Sequence, residues 1–365
     1  PDLTRNVVPL DVFPFSIVSS LAVQKTFSPD ISANYAGGAV DIVTTSFPDK
    51  GLNFSAELGS GWNSEADNLK TYSGGADDDW GTDDGSRQLP SQIIQGLQTY
   101  QGSIGVQNNL AGLGRTAGGG TLSEAIAINT GYVLALNRDM AVIEQSSTPD
   151  VDGRVSFGNT YDFTSDLEGG IQLGGAYASK WRNKERRQAV FSTPDQEFEN
   201  ESETRYSVDI SATATAGLRY LSEHELTVAS LLLRNSDDEV SISDFHNENR
   251  QLSSGLGFRD YRMEFEEREM LVNQVKGEHV LGLNTKDLLG EWVDWLPTDA
   301  RLNWFYSDAK ATSDMPNRVT MAFDTVVDAT SGAVQSETLK RDSSAVDYRF
   351  TALEDEVESY GWKAS

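Results

Sequence analysis

Residues 204–220, TRYSVDISATATAGLRY, are the most regular stretch of the chain and indicate its fold class. Even positions from Tyr206 to Tyr220 are apolar, whereas odd positions from Arg205 to Arg219 are polar or glycine. This period of two predicts a β-strand with one apolar and one polar face. The two tyrosines are 14 residues apart, so a strand tilted by roughly 45° rises about 33 Å between them. Strands of soluble proteins usually have about 3–10 residues, so this length favours a transmembrane β-barrel.

The aromatic residues of this strand fall where the membrane interfaces of a barrel would lie. An outer-membrane barrel has an apolar band about 25 Å tall between two girdles of aromatic side chains. The girdle candidates are Trp62, Tyr206 and Tyr220. The polar face of the strand is predicted to line the lumen, and its candidates are Arg205, Asp209 and Arg219.

Weaker alternation predicts further strands along the chain. These cover residues 52–62, 126–136, 151–163, 167–177 and 301–307, with less regular candidates at 226–234 and 269–283. Short breaks such as 221–223 are predicted as periplasmic turns. Longer polar stretches are predicted as extracellular loops, at 63–90, 184–203, 235–257 and 308–344. Short turns alternating with long loops are typical of outer-membrane barrels, although a large soluble all-β protein would show the same periodicity.

The composition excludes several classes of protein. The chain has 56 acidic and 29 basic residues and a net charge of −27, which opposes binding to nucleic acid. It has no cysteine, so disulfides, thiolate metal sites and cysteine nucleophiles are excluded. Three histidines (His224, His246 and His279) lie far apart in sequence, which gives little support to a histidine metal site. No apolar run reaches the roughly 18 residues that a membrane helix needs.

Residues 12–48, VFPFSIVSSLAVQKTFSPDISANYAGGAVDIVTTSFP, differ from the strand-rich remainder. They read as a small mixed unit with its own breaks. The predicted helix runs from Pro14 to Val18, the strands cover 21–25 and 40–43, and the breaks lie at 28–30 and at Gly37 and Gly38.

This unit resembles the end of the plug domain of TonB-dependent outer-membrane receptors. In that family the last plug strands read approximately I-x-V-x-K, then an aromatic residue with glycines, then G-x-V-x-I-x-T. The matching residues are LAVQK from Leu21, YAGG from Tyr35 and AVDIVTT from Ala39. A second segment, from Tyr72 to Pro90, resembles the Y-x-G-G and DDG-x-R-x-L-P pattern of one subgroup. Together the two matches cover about the first 90 residues.

The resemblance implies a mostly β fold, a transmembrane antiparallel β-barrel preceded by the end of an α+β plug. Residues 1–49 would be the C-terminal part of the plug, and residues 50–365 the N-terminal portion of the barrel with long extracellular loops. The plug-motif candidates, with structural or gating roles, are Gly37, Gly38, Asp41 and Thr44. We expect roughly eight to ten barrel strands, against about 22 in a closed barrel of this kind, and therefore a chain that is a piece of a longer protein.

The implied function is active uptake of a scarce large solute, such as a ferric siderophore or an oligosaccharide, across the bacterial outer membrane. The expected partners are the TonB–ExbB–ExbD complex, through a segment not in this sequence, and outer-membrane lipid and lipopolysaccharide. No cofactor is implied. We expect no enzymatic activity, since the sequence has neither GxSxG nor HExxH. The alternative is a passive porin, or an outer-membrane scaffold or binding protein without energy coupling, although it leaves residues 12–48 unexplained.

Charged clusters suggest further sites. The acidic run with Asp77, Asp79 and Asp83 is a weak calcium candidate, because hard cations bind several oxygens, but it lacks EF-hand spacing and reads better as a solvated loop. Arg87 could pair with carboxylates of the run from Asp77 to Asp84 or bind substrate, and we expect the ion pair, at the solvated surface. A basic patch beyond Trp181 is expected to balance nearby carboxylates rather than to bind lipopolysaccharide phosphates. Its members are Arg182, Lys184, Arg186 and Arg187.

Overall fold

The computed structural model describes residues 18–26, 39–44, 51–62, 69–72, 80–100, 102, 104–109, 112, 120–146, 148–293, 295–342 and 344–365. The fold is mostly β, with 61% of residues in strands and 14% in helices. The strands are β1 Val18–Gln24, β2 Ala39–Thr44, β3 Asn53–Gly61, β4 Leu69–Tyr72, β5 Val142–Gln145, β6 Asp150–Asp162, β7 Leu167–Ala189, β8 Phe198–Tyr220, β9 His224–His246, β10 Leu256–Val280, β11 Arg301–Val327, β12 Val334–Leu339 and β13 Val346–Ala364. Helices in the described residues include α1 Ser91–Thr99, α2 Leu122–Ala135 and α3 Leu283–Leu289.

One large antiparallel sheet dominates the molecule. It has nine strands in the order β12-β11-β10-β9-β8-β7-β6-β3, and β13 also pairs with β11. From β6 to β11 every strand pairs with the next one in sequence, which makes a meander of hairpins. Within the described residues no pairing joins β3 to β13, so the sheet is open at both edges.

The sheet has two ends of different character. At the end that we call lower, the connections are residues 163–166, 221–223 and 281–300. At the upper end they are 190–197, 247–255 and the stretch around β12. In the tight lower turn after β8, Leu221 has φ 55° and Ser222 has φ 58°, and the Glu223 N–H donates to the Tyr220 carbonyl. Positive φ at both central residues is the requirement of a type I′ turn.

A row of aromatic and polar residues divides the sheet into a lower and an upper half. Trp181, Tyr206, Asp238 and Phe265 are successive cross-strand partners on β7, β8, β9 and β10. The rings of Trp181 and Tyr206 lie 4.5 Å apart between centroids. We call this line the dividing row. The predicted strand over 204–220 therefore covers β8 below the dividing row and the two residues just above Tyr206, and β8 continues upward to Phe198.

Three stretches predicted as loops are largely strand, so those predictions were wrong. The polar residues of 184–203, 235–257 and 308–344 continue β7 to Ala189, β9 to His246 and β11 to Val327. Over 184–203 both faces are mostly polar, so no apolar alternation marks the strands there. In the other two stretches Val240, Val319 and Met321 lie on the covered face among polar and charged residues. Cross-strand ion pairs partner many of their charges; Arg186 and Glu201, for example, lie 2.5 Å apart on paired strands.

The strand predicted over 126–136 is also wrong, because these residues belong to helix α2. The helix begins with a capping box in which the Thr121 hydroxyl accepts from the Glu124 N–H, and the Glu124 carboxylate accepts from the Thr121 N–H. Such a box satisfies two of the free N–H groups at a helix start. Apolar residues in this segment recur at spacings that suit either structure, and the cap favours the helix.

Strands β1 and β2 form a separate two-stranded antiparallel sheet. Leu21 pairs with Ile42 and Ala22 with Asp41, which confirms the two short strands predicted at 21–25 and 40–43. Val18, the last residue of the predicted helix, begins β1 instead. The rest of that helix, the turn at 28–30, Gly37 and Gly38 lie outside the described residues.

Chain between β3 and β6 folds back over the upper half of one face of the sheet. The Lys70 N–H donates to the Thr204 hydroxyl at 3.1 Å, and Tyr72 and Met140 pack with a buried cluster on the sheet. The sheet residues of that cluster are Val240, Met263 and Val319. We call residues 69–72, 80–87 and 140–145 the cover. They bury the upper half of this face and leave its lower half open.

Candidate functional site: two faces of the large sheet

The open lower half of the covered face is apolar and exposed. The residues at Ala212, Ala214, Ala216 and Leu218 of β8 point to this face, as the alternation predicted, and are exposed. Leu58 is 92% exposed on β3 and Val228 is 49% exposed on β9. We call this surface the apolar band. Its other members include Phe54, Val155, Leu173, Leu226, Leu271 and Tyr306.

The upper border of the apolar band descends steadily from β6 to β13. The continuous apolar band ends upward at Val151 on β6, at Ile210 on β8 (next to the buried Val208), at Leu271 on β10 and at Tyr360 on β13. On β10 and β13 the next residue above them is charged, namely Glu269 or Glu358. By register, Val151 aligns with Val208 of β8 and Tyr360 aligns with Ala216, a drop of 8 residues (216 − 208). Eight residues measure about 26 Å along a strand, and the six strand-to-strand steps from β6 to β13 measure about 29 Å across the sheet. The border is therefore inclined by roughly 42° to the line perpendicular to the strands.

Aromatic rings mark the lower end of the same face. Tyr220 is 39% exposed and stacks on His224, and His224 lies 5.4 Å from His279 between ring centroids. The Trp304 indole N–H donates to His279 Nε2 at 3.1 Å, and Trp304 pairs with Trp362 across β11 and β13. The structure thus brings together His224 and His279, which are far apart in sequence, as members of an aromatic rim.

The opposite face carries a network of ion pairs around Arg205. Its guanidinium lies 2.6 Å from Glu239 and 3.2 Å from Glu203. Arg262 approaches Glu239 at 2.8 Å from the next strand. We call this surface the polar face and the network the charge ladder. Further members are Asp237, Glu264, Glu266, Arg268 and Arg318.

The other two lumen candidates lie on the same polar face as Arg205 but do not join its cluster. Asp209 accepts from the Asn235 amide at 2.7 Å and pairs with Lys180 at 3.3 Å. Arg219, at the lower end of β8, bridges Glu168 at 3.2 Å and Glu225 at 3.0 Å. All three candidates are therefore neutralised by neighbours across the strand, and they are spaced along the whole length of the face.

A cavity of about 660 Å³ opens at the top of the polar face. Three arginines in its wall already face carboxylates: Arg186 with Glu201, Arg262 with Glu239 and Arg318 with Glu264. Ser241, Ser243 and Phe245 also line it. Burial raises the pKa of Asp260, another wall residue; Lys340 opposes this shift and Glu199 adds to it. The cavity thus offers hydroxyl and carboxylate oxygens beside an aromatic ring, a surface suited to solutes that carry hydrogen-bond donors.

The structure places three of the four residues of the predicted basic patch beside carboxylates, as expected. Arg182 pairs with Asp150 at 2.7 Å, Lys184 with Glu203 at 3.7 Å and Arg186 with Glu201. The guanidinium of Arg187 lies 4.9 Å over the Phe198 ring. The first three belong to the polar face because they pair with odd positions of β8.

Arg87 does pair with the acidic run, but the expected position at the solvated surface is wrong. Its side chain is fully buried, with its guanidinium 3.1 Å from both Asp83 and Asp238. It also lies 4.4 Å over the Phe265 ring and donates to the Tyr72 hydroxyl at 2.5 Å. Arg87 therefore joins the cover to the dividing row of the sheet. Its burial depends on packing against strands more than a hundred residues away, which local sequence does not reveal.

Of the remaining predicted site residues, the structure describes some and not others. Asp41 and Thr44 lie in β2, paired with Ala22 and Val18. Trp62 follows β3 and is 63% exposed. Asp77 and Asp79 lie outside the described residues, whereas Asp83 accepts from the Gly85 N–H and binds Arg87. Within the described ranges no group of three metal-ligating side chains is present.

No protein-family model, no curated protein and no solved structure matches the chain. In the part of the chain that the structure describes, none of the helices is long and apolar enough to cross a membrane.

Sequence reasoning missed most of the charge ladder. Glu199, Glu201 and Glu203 alternate with Asn200 and Ser202, so a signal was present in the charges at every second position. Without apolar residues on either face, that segment was interpreted as a loop. Period-two charge patterning beside a strand is the signal that would have found it.

Proposed function

We propose that this protein is the plug end and part of the barrel wall of a TonB-dependent outer-membrane receptor, which imports a scarce large solute. The observation that carries the proposal is the diagonal border of the apolar band. Strands of a membrane barrel are tilted by roughly 35–45°, so a level lipid boundary must cross their register obliquely. A slope of roughly 42° is what that geometry requires.

The height of the band agrees with this proposal. On β8 the open apolar stretch runs from Ile210 to Tyr220, 10 residues apart, which rises about 23 Å at a tilt of 45°. An apolar band of about 25 Å is usual for outer-membrane barrels. The upper half of the sheet, with its cover, would then stand outside the membrane on the extracellular side.

The polar face supports transport of a hydrophilic solute. In this proposal Arg205, Asp209 and Arg219 face the lumen, and the cavity beside Asp260 and Phe245 lies near its outer mouth. Its arginines are already engaged by carboxylates, which favours a hydroxyl-rich solute such as an oligosaccharide over an anionic ferric siderophore. Energy coupling rests on the plug resemblance around Leu21 and Ala39, with TonB–ExbB–ExbD as the partner.

Fractionation of a Gram-negative host that produces the protein tests the membrane part of the proposal. We expect recovery in the outer membrane; recovery in the soluble periplasm would refute it. Uptake is tested separately by growth on a single carbon or iron source in strains with and without TonB. Growth that needs the protein but not TonB would favour the alternative, a passive porin.

A further inference from the structure

The longest lower connection, residues 281–300, differs from the other two at that end. Residues 163–166 and 221–223 are short turns, whereas this connection contains helix α3 and the 3₁₀ turn Gly290–Trp292. It exposes large apolar side chains that nothing in the described chain covers. We call them the lower patch: Leu283 at 71% exposure, Leu288 at 64%, Leu289 at 47%, Trp292 at 88% and Trp295 at 78%.

Polar contacts fix the backbone of the connection. Its apolar side chains are therefore exposed on a well-defined surface. Glu223, from the turn after β8, accepts from the Asn284 N–H at 3.0 Å and the Thr285 N–H at 2.9 Å. The Lys286 ammonium donates to the Leu296 carbonyl at 2.8 Å. Because these contacts hold the backbone, the leucine and tryptophan side chains are presented outward rather than into a local core.

The lower patch adjoins the apolar band on the same side of the sheet. His224, which aligns with Tyr220 on that face, lies 2.8 Å from the Thr285 hydroxyl through Nε2. The band spans 10 residues on β8, from Ile210 to Tyr220. The same height measured down from Leu271 on β10 reaches position 281 (271 + 10), and from Tyr306 on β11 it reaches 296 (306 − 10). Strand β10 ends at Val280 and β11 begins at Arg301, so the lower edge of the band falls in the connection on both strands. The residues of the lower patch lie between positions 281 and 296.

We propose that the lower patch is a membrane-surface anchor whose partner is the phospholipid of the periplasmic leaflet. This inference rests on the proposed function, because it uses the lipid boundary inferred from the apolar band. Tryptophan favours the headgroup level, where its ring is buried and its N–H stays hydrated. Soluble monomers seldom leave such a patch in water, and short amphipathic segments with Trp and Leu insert into the boundary between headgroups and acyl chains.

Single-cysteine spin labelling tests the anchor, and the absence of native cysteine makes every label unique. The variants Trp292→Cys, Trp295→Cys and Leu288→Cys are labelled in the protein reconstituted in phosphatidylethanolamine–phosphatidylglycerol vesicles. Collisions with oxygen, which partitions into lipid, are compared with collisions with a water-soluble nickel complex. Leu218→Cys in the apolar band is the lipid reference. Ser222→Cys in the neighbouring lower turn and Ser331→Cys in an upper connection are the water references.

We expect the patch labels to lose nickel collisions and gain oxygen collisions relative to Ser222→Cys, as Leu218→Cys does. Patch labels open to nickel would place the segment in water and overturn the anchor. Labels shielded from both reagents would place it against protein, such as a second copy, and also overturn it. If Leu218→Cys itself reports water, the proposed function fails; if only the patch labels do, the anchor alone fails.

Discussion

The two halves of the large sheet show two ways in which long strands are stabilised. Below the dividing row the faces are segregated, with Ala214 and Leu218 outward and Thr215 and Arg219 on the polar face. Above it one face is polar and is held by the charge ladder, whereas the other mixes polar residues with the buried Val240, Met263 and Val319 that pack against the cover. Under the proposed function, lipid around the lower half would account for its segregated faces, whereas side-chain contacts stabilise the upper half. Substitutions should therefore act differently in the two halves.

The largest effect is expected in the upper half, at Arg87. Removal of one member of a buried ion pair costs about 3–5 kcal/mol, because the partner charge stays buried. Arg87→Ala should lower the unfolding free energy by about that amount and expose the cover to limited proteolysis. Arg154→Ala is the control, since Arg154 and Glu57 are 51% and 65% exposed, and it should cost about 0–1 kcal/mol. Equal effects in denaturant titrations would contradict the proposed role of Arg87.

The next effect tests the lower half. Ala214→Arg places a charge in the middle of the apolar band and should cost about 2–4 kcal/mol in phospholipid vesicles. Thr215→Arg lies one residue away on the polar face and should cost about 0–1 kcal/mol. An exposed site on a soluble sheet would tolerate both changes within about 0.5 kcal/mol, so urea titrations that find the pair equal would remove the case for a lipid boundary.

A smaller effect is expected in the charge ladder, where Arg205 and Glu239 lie 2.6 Å apart and Arg205 is 41% exposed. A double-mutant cycle with Arg205→Gln and Glu239→Gln should give a coupling of about 0.5–1 kcal/mol. The coupling should shrink as salt rises from about 0.05 to 0.5 M, because the Debye length shortens. A coupling that does not change with salt would show that the pair behaves as a buried contact.

The smallest effect concerns Glu124, which lies outside the sheet. Hydrogen bonds from the Thr121 N–H and hydroxyl hold the pKa of Glu124 below its ordinary value of 4.5. A carboxyl whose pKa is lowered by folding stabilises the protein above its unfolded pKa, and this contribution is lost as pH falls through the folded value. Thermal melts at pH 7 should show Glu124→Gln slightly less stable than the parent, and the gap should narrow as the pH falls below 4.5. A gap that does not narrow in acid would assign the effect to packing.

The same contrast explains how much could be predicted from the sequence. Residues 204–220 were predicted as a strand because an exposed apolar face alternates with a polar one. Residues 198–203 belong to the same strand, β8, but polar residues occupy both of its faces there, so no apolar alternation marks the strand. The residues of β7 and β9 that pair with its carboxylates cannot be inferred from the local sequence. Helix α2 was predicted as a strand because Ile126 and Ile128 alternate with Ala127 and Asn129, and the Thr121–Glu124 capping box was not considered. The burial of Arg87 depends on Asp238, and pairing across 151 residues leaves no local signal.

The meander also sets the order in which the sheet can assemble. From β6 to β11 each strand finds its partner next in sequence, so the ribbon can grow hairpin by hairpin, and local pairing of this kind is fast. Strand β3 reaches β6 only after residues 62–149 have been looped out, a closure whose entropic cost grows with length. The edge of β6 should therefore stay open longest in the newly made chain, which makes it the edge where a chaperone or an assembly factor has most time to act.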